Sequence, residues 1–261
     1  TVYRAHSQKL NRDVAIKVLK KAAAPSTGPQ LEPAGEVEVL RDLNHPGIVR
    51  LIEIEYTRKG QPAIVMELVE GPNLRDYFKQ AGGKLPHQQA VQIISDIVRT
   101  LVVVHQQGVF HFDLKPSNIL IRETAGTVQP IIADFGASAF RALRYGAGAG
   151  TQEYAAPEQF AGYDSFSRRF GYSHSRGARS DIYSVGIILY QLLTGEYPFD
   201  PEQQKLTTNW RRLLESRETR PEPPKAIDSA IPARLSDICL ICLEFNPENR
   251  FSSASDLLEA L

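Results

Sequence analysis

Apolar residues recur with a short period over the first third of this chain and with a long one after it. At 13–18, Asp-Val-Ala-Ile-Lys-Val is β-branched and alternating, which predicts a strand with Lys17 projecting from one face. The stretch 22–35, with prolines at 25, 29 and 33, reads as a loop. At 35–43 the apolar positions Val37, Leu40 and Leu43 fall at helical spacing, with Glu36 on the flank, and two further strands are predicted over 48–56 and 63–67.

After Gly71-Pro72 the period changes from sheet to helix. Leu85-Pro86 opens a stretch in which Ala90, Ile94, Ile97, Leu101 and Val104 share one face, widened by Val91, Val98 and Val102. A helix over 87–107 would be about 30 Å long. Helical spacing returns at 182–193, 206–216, 235–244 and 255–261. The pattern predicts an α+β chain, strand-rich in front and helical behind, with no internal repeat and only a short flexible patch at 146–150.

Composition narrows the class of partner. The chain has 261 residues, enough for one large domain or two lobes around a cleft. Its 30 basic residues balance 30 acidic ones, so no net field draws it to nucleic acid or an anionic membrane. The two cysteines, Cys239 and Cys242, lie in the apolar run Ile-Cys-Leu-Ile-Cys-Leu, on one helical face. Without a second pair or a histidine cluster they read as packed thiols rather than half a zinc site. So few cysteines suit a reducing, cytoplasmic compartment, including the cytoplasmic part of a larger or membrane-anchored protein. No apolar run approaches the roughly 20 residues that span a bilayer; the best, 185–193, is broken by Gln191.

The densest chemistry lies in the run 111–118, His-Phe-Asp-Leu-Lys-Pro-Ser-Asn, followed by Asp134-Phe135-Gly136. Phosphoryl transfer needs a group that holds an acceptor hydroxyl in line with the γ-phosphorus, and bound metal that neutralises charge on the phosphoryl oxygens. Asp113 suits the first role, and Asn118 and Asp134, with hard oxygen donors, suit the second. Here the chain resembles the protein kinase family, whose catalytic loop reads His-Arg-Asp and whose metal loop reads Asp-Phe-Gly. The Asp-Leu-Lys-Pro-x-Asn wording resembles the Ser/Thr-directed branch. Pro-Glu-Gln at 157–159 and Ser-Asp-Ile-Tyr-Ser at 180–184 resemble bacterial eukaryotic-type members.

The resemblance covers nearly the whole chain. It implies a two-lobed fold: a small antiparallel sheet lobe with one helix and the hinge over 1–69, then a larger helical lobe over 70–261. It implies ATP with Mg2+, or Mn2+, as cofactors, and protein substrates as partners. Lys17, closing Val-Ala-Ile-Lys, would contact the α and β phosphates. Glu36 would be its ion-pair partner, with Glu38 the choice if the helix register shifts. Met66 would be the gatekeeper of the adenine pocket, and the backbone of Glu67 and Val69 would bond the adenine edge. Val2, Ala15 and Leu120 would sandwich the ring, and Asn73 joins the nucleotide set. Lys115 would reach the transferred phosphoryl group, and Thr151 would bridge Asp113 and Lys115. Glu158 of Ala-Pro-Glu would pair with Arg250, and Asp181 would brace the catalytic loop.

Three departures accompany these matches. The chain opens at Thr1-Val2-Tyr3, which resembles the stretch just after the family's glycine-rich loop, so we expect a trimmed domain or incomplete gene model. The segment 162–179 is longer than usual and carries Arg168, Arg169, Arg176 and Arg179; it reads as a solvated loop, with docking of an acidic partner as the alternative. Phe112 stands where the family has the arginine that receives an activation-segment phosphate, and 139–150 contains no serine or threonine. Tyr145 is the one phosphorylatable hydroxyl in it; control by Ser/Thr phosphorylation of that segment is therefore not expected, and Phe112 would help pack the loop. The competing readings are a pseudokinase scaffold that binds partners without efficient turnover, and a small-molecule phosphotransferase of kinase-like fold. The peptide platform around Thr151 and Ala-Pro-Glu argues against the second.

Overall fold

The computed structural model describes residues 2–18, 43–135, 152–160, 177–199 and 210–261. Strands β1 (Val2–Ser7), β2 (Arg12–Val18), β3 (Leu51–Tyr56) and β4 (Pro62–Glu67) form an antiparallel sheet in the order β1-β2-β4-β3. The alternation read around Lys17 is set by register. Val2 lies opposite Lys17, Ala15 opposite Met66, and Lys17 opposite Ile64. Cross-strand partners and next-but-one residues share a face, so Val2, Ala15, Lys17, Ile64 and Met66 all project to one side of the sheet.

The strand predicted over 48–56 begins later, at Leu51. Its leading residues are used elsewhere: the Val49 amide donates to the Ile132 carbonyl (2.9 Å) and the Ile132 amide to the Gly47 carbonyl (2.8 Å). This short parallel stitch ties the sheet to a hairpin of β5 (Ile119–Thr124) and β6 (Thr127–Ile132), which periodicity did not reveal. The hairpin turn has Ala125 at φ 50° and Gly126 at φ 80°. Both central residues at positive φ make the turn expected of a two-residue hairpin, but alanine replaces the asparagine or aspartate that would announce it.

Helix α1 (Leu74–Gln80) comes after β4 and its link, and α2 (His87–Gln106) matches its expected extent. Its buried face includes Ala90, Ile94, Ile97, Leu101 and Val104, and Ile93 besides. Helix α3 (Ala178–Thr194) is buried along nearly its whole length, which makes it the axis of the helical part; it ends at Gly195 in the left-handed region. Around it lie α4 (Trp210–Glu218), α5 (Pro224–Ile227), α6 (Ala233–Cys242) and α7 (Ala254–Ala260). Cys239 and Cys242 are both buried on α6, and the Cys239 thiol donates to the Gly186 carbonyl of α3 (3.5 Å). The 22–35 loop, the helix expected over 35–43 except for Leu43, and the patch at 146–150 lie outside the described residues. So does most of the long segment 162–179.

Candidate active site

Lys17 leaves the sheet face and brings its ammonium 2.8 Å from the Asp134 carboxylate. Both side chains are mostly shielded, at 17% and 26% exposure, in a cleft they line with Ile48, Ile64, Met66 and Phe135. Asp134 sits at φ 68°, a strained conformation that is held from behind. The imidazole of His111 donates from Nε2 to the Ala133 carbonyl (2.9 Å), and its ring meets Phe135 edge-on at 4.7 Å. Its Nδ1 accepts the Asp113 amide (3.2 Å), so the proton is on Nε2 and one ring joins the Asp134 loop to the Asp113 loop.

Asp113, Lys115 and Asn118 form a compact cluster. Lys115 lies 3.0 Å from the Asp113 carboxylate, both about one-eighth exposed. Asn118 donates from its amide nitrogen to the Asp113 carbonyl (3.0 Å) and more weakly to its carboxylate (3.4 Å). Pro116 starts the single helical turn Pro116–Asn118 that puts Asn118 beside Asp113.

The loop is anchored by Asp181, whose fully buried carboxylate accepts the amides of His111 and Phe112, each at 2.7 Å. His105 meets the same carboxylate through Nε2 at 2.9 Å. The brace expected of Asp181 is thus present, and His105 is an additional partner, recognisable only as a lone histidine near the end of α2. The expected Glu158–Arg250 pair also forms. Arg250 grips both carboxylate oxygens at 2.8 and 3.0 Å, both side chains are fully buried, and Ser180 adds a third bond at 2.7 Å. Burial on this scale stabilises a charge pair only with such multiple bonds.

At the expected hinge, Met66 and Val69 are buried, and the Glu67 amide donates to the Arg50 carbonyl (2.9 Å). Gly71 has φ 137°, and a Cβ there would overlap the Ile121 carbonyl oxygen, so only glycine lets the link pass β5 this closely. The Asn73 side chain caps α1, accepting the Asp76 amide at 3.0 Å, and Asn73 bridges by backbone to Leu120. Val2, Ala15, Val69, Asn73 and Leu120 do not line the cavity that holds Lys17 and Asp134. Val2 and Ala15 adjoin it on the same sheet face, and Val2 is exposed. Glu36 and Thr151 lie outside the described residues.

Sequence reasoning passed over Arg217 on α4. The guanidinium is buried, lies over the rings of Phe199 (5.0 Å) and Phe160 (5.3 Å), and donates to the Glu153 carbonyl (2.8 Å) and the Tyr183 hydroxyl (3.2 Å). An arginine in the polar stretch Glu-Ser-Arg-Glu carries no local signal of burial. Next to Glu153 in the chain, Tyr154 donates its hydroxyl to Gln191 (2.8 Å), and burial pushes the pKa of that hydroxyl up to about 12.

The protein kinase domain family model matches residues 1–260. Serine/threonine-protein kinase PknB of Mycobacterium leprae is 35% identical over 264 residues, covering 98% of this chain and 39% of that protein. The chain therefore spans about two-fifths of the length of the curated relatives it matches. Among solved structures, Rad53 1–466 in complex with AMP-PNP aligns with a TM-score of 0.74 at 27% identity, over 98% of this chain and 60% of that one. A Mycobacterium tuberculosis PknI kinase domain aligns at 0.68 with 23% identity, over 99% and 88% of the two chains, a likeness of fold. With the sheet lysine meeting Asp134 across the cleft and the family model spanning nearly every residue, the chain belongs to the protein kinase domain family.

Proposed function

We propose that this domain transfers the γ-phosphoryl group of ATP to serine or threonine hydroxyls of protein substrates. The observation that carries the reading is the meeting of Lys17 and Asp134 at 2.8 Å, in a fold that also clusters Asp113, Lys115 and Asn118. Asp113 accepts a hydrogen bond from the acceptor hydroxyl and orients it. Lys115, beside Asp113, places positive charge where the transferred group passes, and Lys17 holds the α and β phosphates. The nucleotide set is completed by Val2, Ala15, Met66, Glu67, Val69, Asn73 and Leu120, with Glu36 and Thr151 in the supporting roles the motif order gives them.

The residues present fit a divalent cation. Because the Asn118 amide nitrogen is committed to Asp113, the amide oxygen remains for a hard cation, alongside the Asp134 carboxylate. Magnesium or manganese held there would screen the charge of the phosphoryl oxygens. The relatives named as serine/threonine-protein kinases support the hydroxyl acceptor, and the AMP-PNP in the Rad53 complex supports the nucleotide. Balanced charge argues against a nucleic-acid target. No helix among the described residues is long and apolar enough to cross a membrane. Two buried free thiols support a reducing compartment, which we take to be the cytoplasm.

The test is incorporation of labelled phosphate from ATP into a protein substrate by the full-length protein, with phosphoamino-acid analysis of the product. Asp113→Asn is expected to lower the rate by about 10²–10⁴-fold. Equal incorporation by wild type and variant would sink the assignment and favour a scaffold without turnover.

A further inference from the structure

Gln159 closes the helical turn Pro157–Gln159 and makes two strong side-chain bonds in different directions. Its Oε1 accepts the Ala156 amide at 2.8 Å, while its Nε2 donates to the Phe112 carbonyl at 2.7 Å. The first bond is the ordinary capping contact, in which the third residue of a turn reaches back to the amide preceding it. Glutamate or glutamine serves that contact equally well. The second bond discriminates between them, because only the amide has a hydrogen to give a carbonyl.

The Phe112 carbonyl belongs to the same peptide plane as the Asp113 amide, and that plane is gripped at both edges. Gln159 holds the oxygen, and the Asp113 amide donates to His111 Nδ1 at 3.2 Å. The preceding plane is fixed by Asp181, which accepts the Phe112 amide at 2.7 Å. Phe112 itself sits at φ 58°, a conformation that an ordinary side chain does not hold unaided. A peptide group so constrained sets where the Asp113 side chain starts.

We propose that Gln159 is a positioning residue for the phosphoryl-transfer step: it bolts the turn beyond the expected substrate floor to the peptide bond entering Asp113, a link made without phosphate. The inference rests on the proposed kinase activity and gives a role to Gln159, which the Pro-Glu-Gln motif contains without assigning it one. Gln159 touches no reacting atom; it acts through the geometry of Asp113.

The experiment compares wild type, Gln159→Leu and Gln159→Glu in the full-length protein, measuring peptide phosphorylation from about pH 8 to about pH 5.5. Loss of one such bond is worth up to about tenfold in rate, so Gln159→Leu is expected to lower kcat by roughly tenfold at every pH, with KM for ATP unchanged. Ionised glutamate would keep the cap but oppose the Phe112 carbonyl, whereas protonated glutamate can donate as glutamine does. The Gln159→Glu defect, taken as a ratio to wild type, is therefore expected to shrink as pH falls. Should Gln159→Leu fail to fold, that pH dependence decides by itself. A Gln159→Glu profile parallel to wild type, or full activity in Gln159→Leu, overturns the proposal. If wild type transfers no phosphate, the kinase reading fails separately, and hydrogen exchange then decides the bolt. Faster exchange of the Asp113 amide in Gln159→Leu supports it, and unchanged exchange rejects it.

Discussion

Phe112 shows how one substitution can redirect a loop's supports. Where the family's arginine would await a phosphate, this side chain packs against Phe110 in a tilted pair with ring centroids 5.7 Å apart, and Phe110 in turn lies 5.2 Å from His105. Aromatic pairs of this kind contribute about 0.5–1.5 kcal/mol beyond the area they bury. They do so without any added charge. The backbone of Phe112, at positive φ, is held by Asp181 on one side and Gln159 on the other. The packing role expected for Phe112 is thus visible, and it bears on control. Phosphatase treatment of the full-length protein is expected to leave phosphotransfer unchanged. Activity abolished by treatment and restored by phosphate on residues 139–150 would show that the aromatic packing does not replace the arginine contact.

Among the elements, α3 and α6 show where propensity and packing pull in opposite directions. On an exposed helix, alanine in place of glycine stabilises by roughly 0.5–1 kcal/mol. Gly186, however, lies where α3 meets α6, and an added Cβ would stand 2.6 Å from Cys242 Cβ and 3.1 Å from Leu243. Forcing a methyl into such a contact costs about 1–3 kcal/mol. The packing cost is the larger, so Gly186→Ala is expected to lower the Tm; a raised Tm in a thermal melt would show that α6 gives way freely. The helical period announced both elements from the sequence. It could not announce which residue of α3 must lack a side chain, because that depends on how close a helix more than forty residues downstream approaches.

For the molecule as a unit, burial of neutral titratable groups predicts how stability responds to alkali. Burial pushes the Cys242 thiol from 9.0 up to about 12 and the Tyr154 hydroxyl from 10.0 up to about 12, and raises Cys239 as well. Between those limits the unfolded chain has released protons that the folded chain retains, so the free energy of unfolding falls as pH rises. The stabilisation is complete below about pH 9 and is lost toward pH 12. Urea midpoints measured across this window should decline with pH, and Cys242→Ala should make the decline shallower. A midpoint independent of pH would mean that these groups titrate as if exposed.

Sequence alone establishes the order of the chemistry-bearing residues, the change from sheet to helix after Gly71, and helices such as α2 whose apolar face repeats locally. Periodicity and motif spacing are properties of neighbours, and neighbours are what a sequence displays. The β5–β6 hairpin, the burial of Arg217 and the grip of Gln159 on a carbonyl 47 residues earlier emerge only when the chain is folded. A polar side chain reads alike in solvent and in the interior until its distant partner is known. For Gln159 and Arg217 that partner is a main-chain carbonyl, which every residue possesses and no residue type reveals.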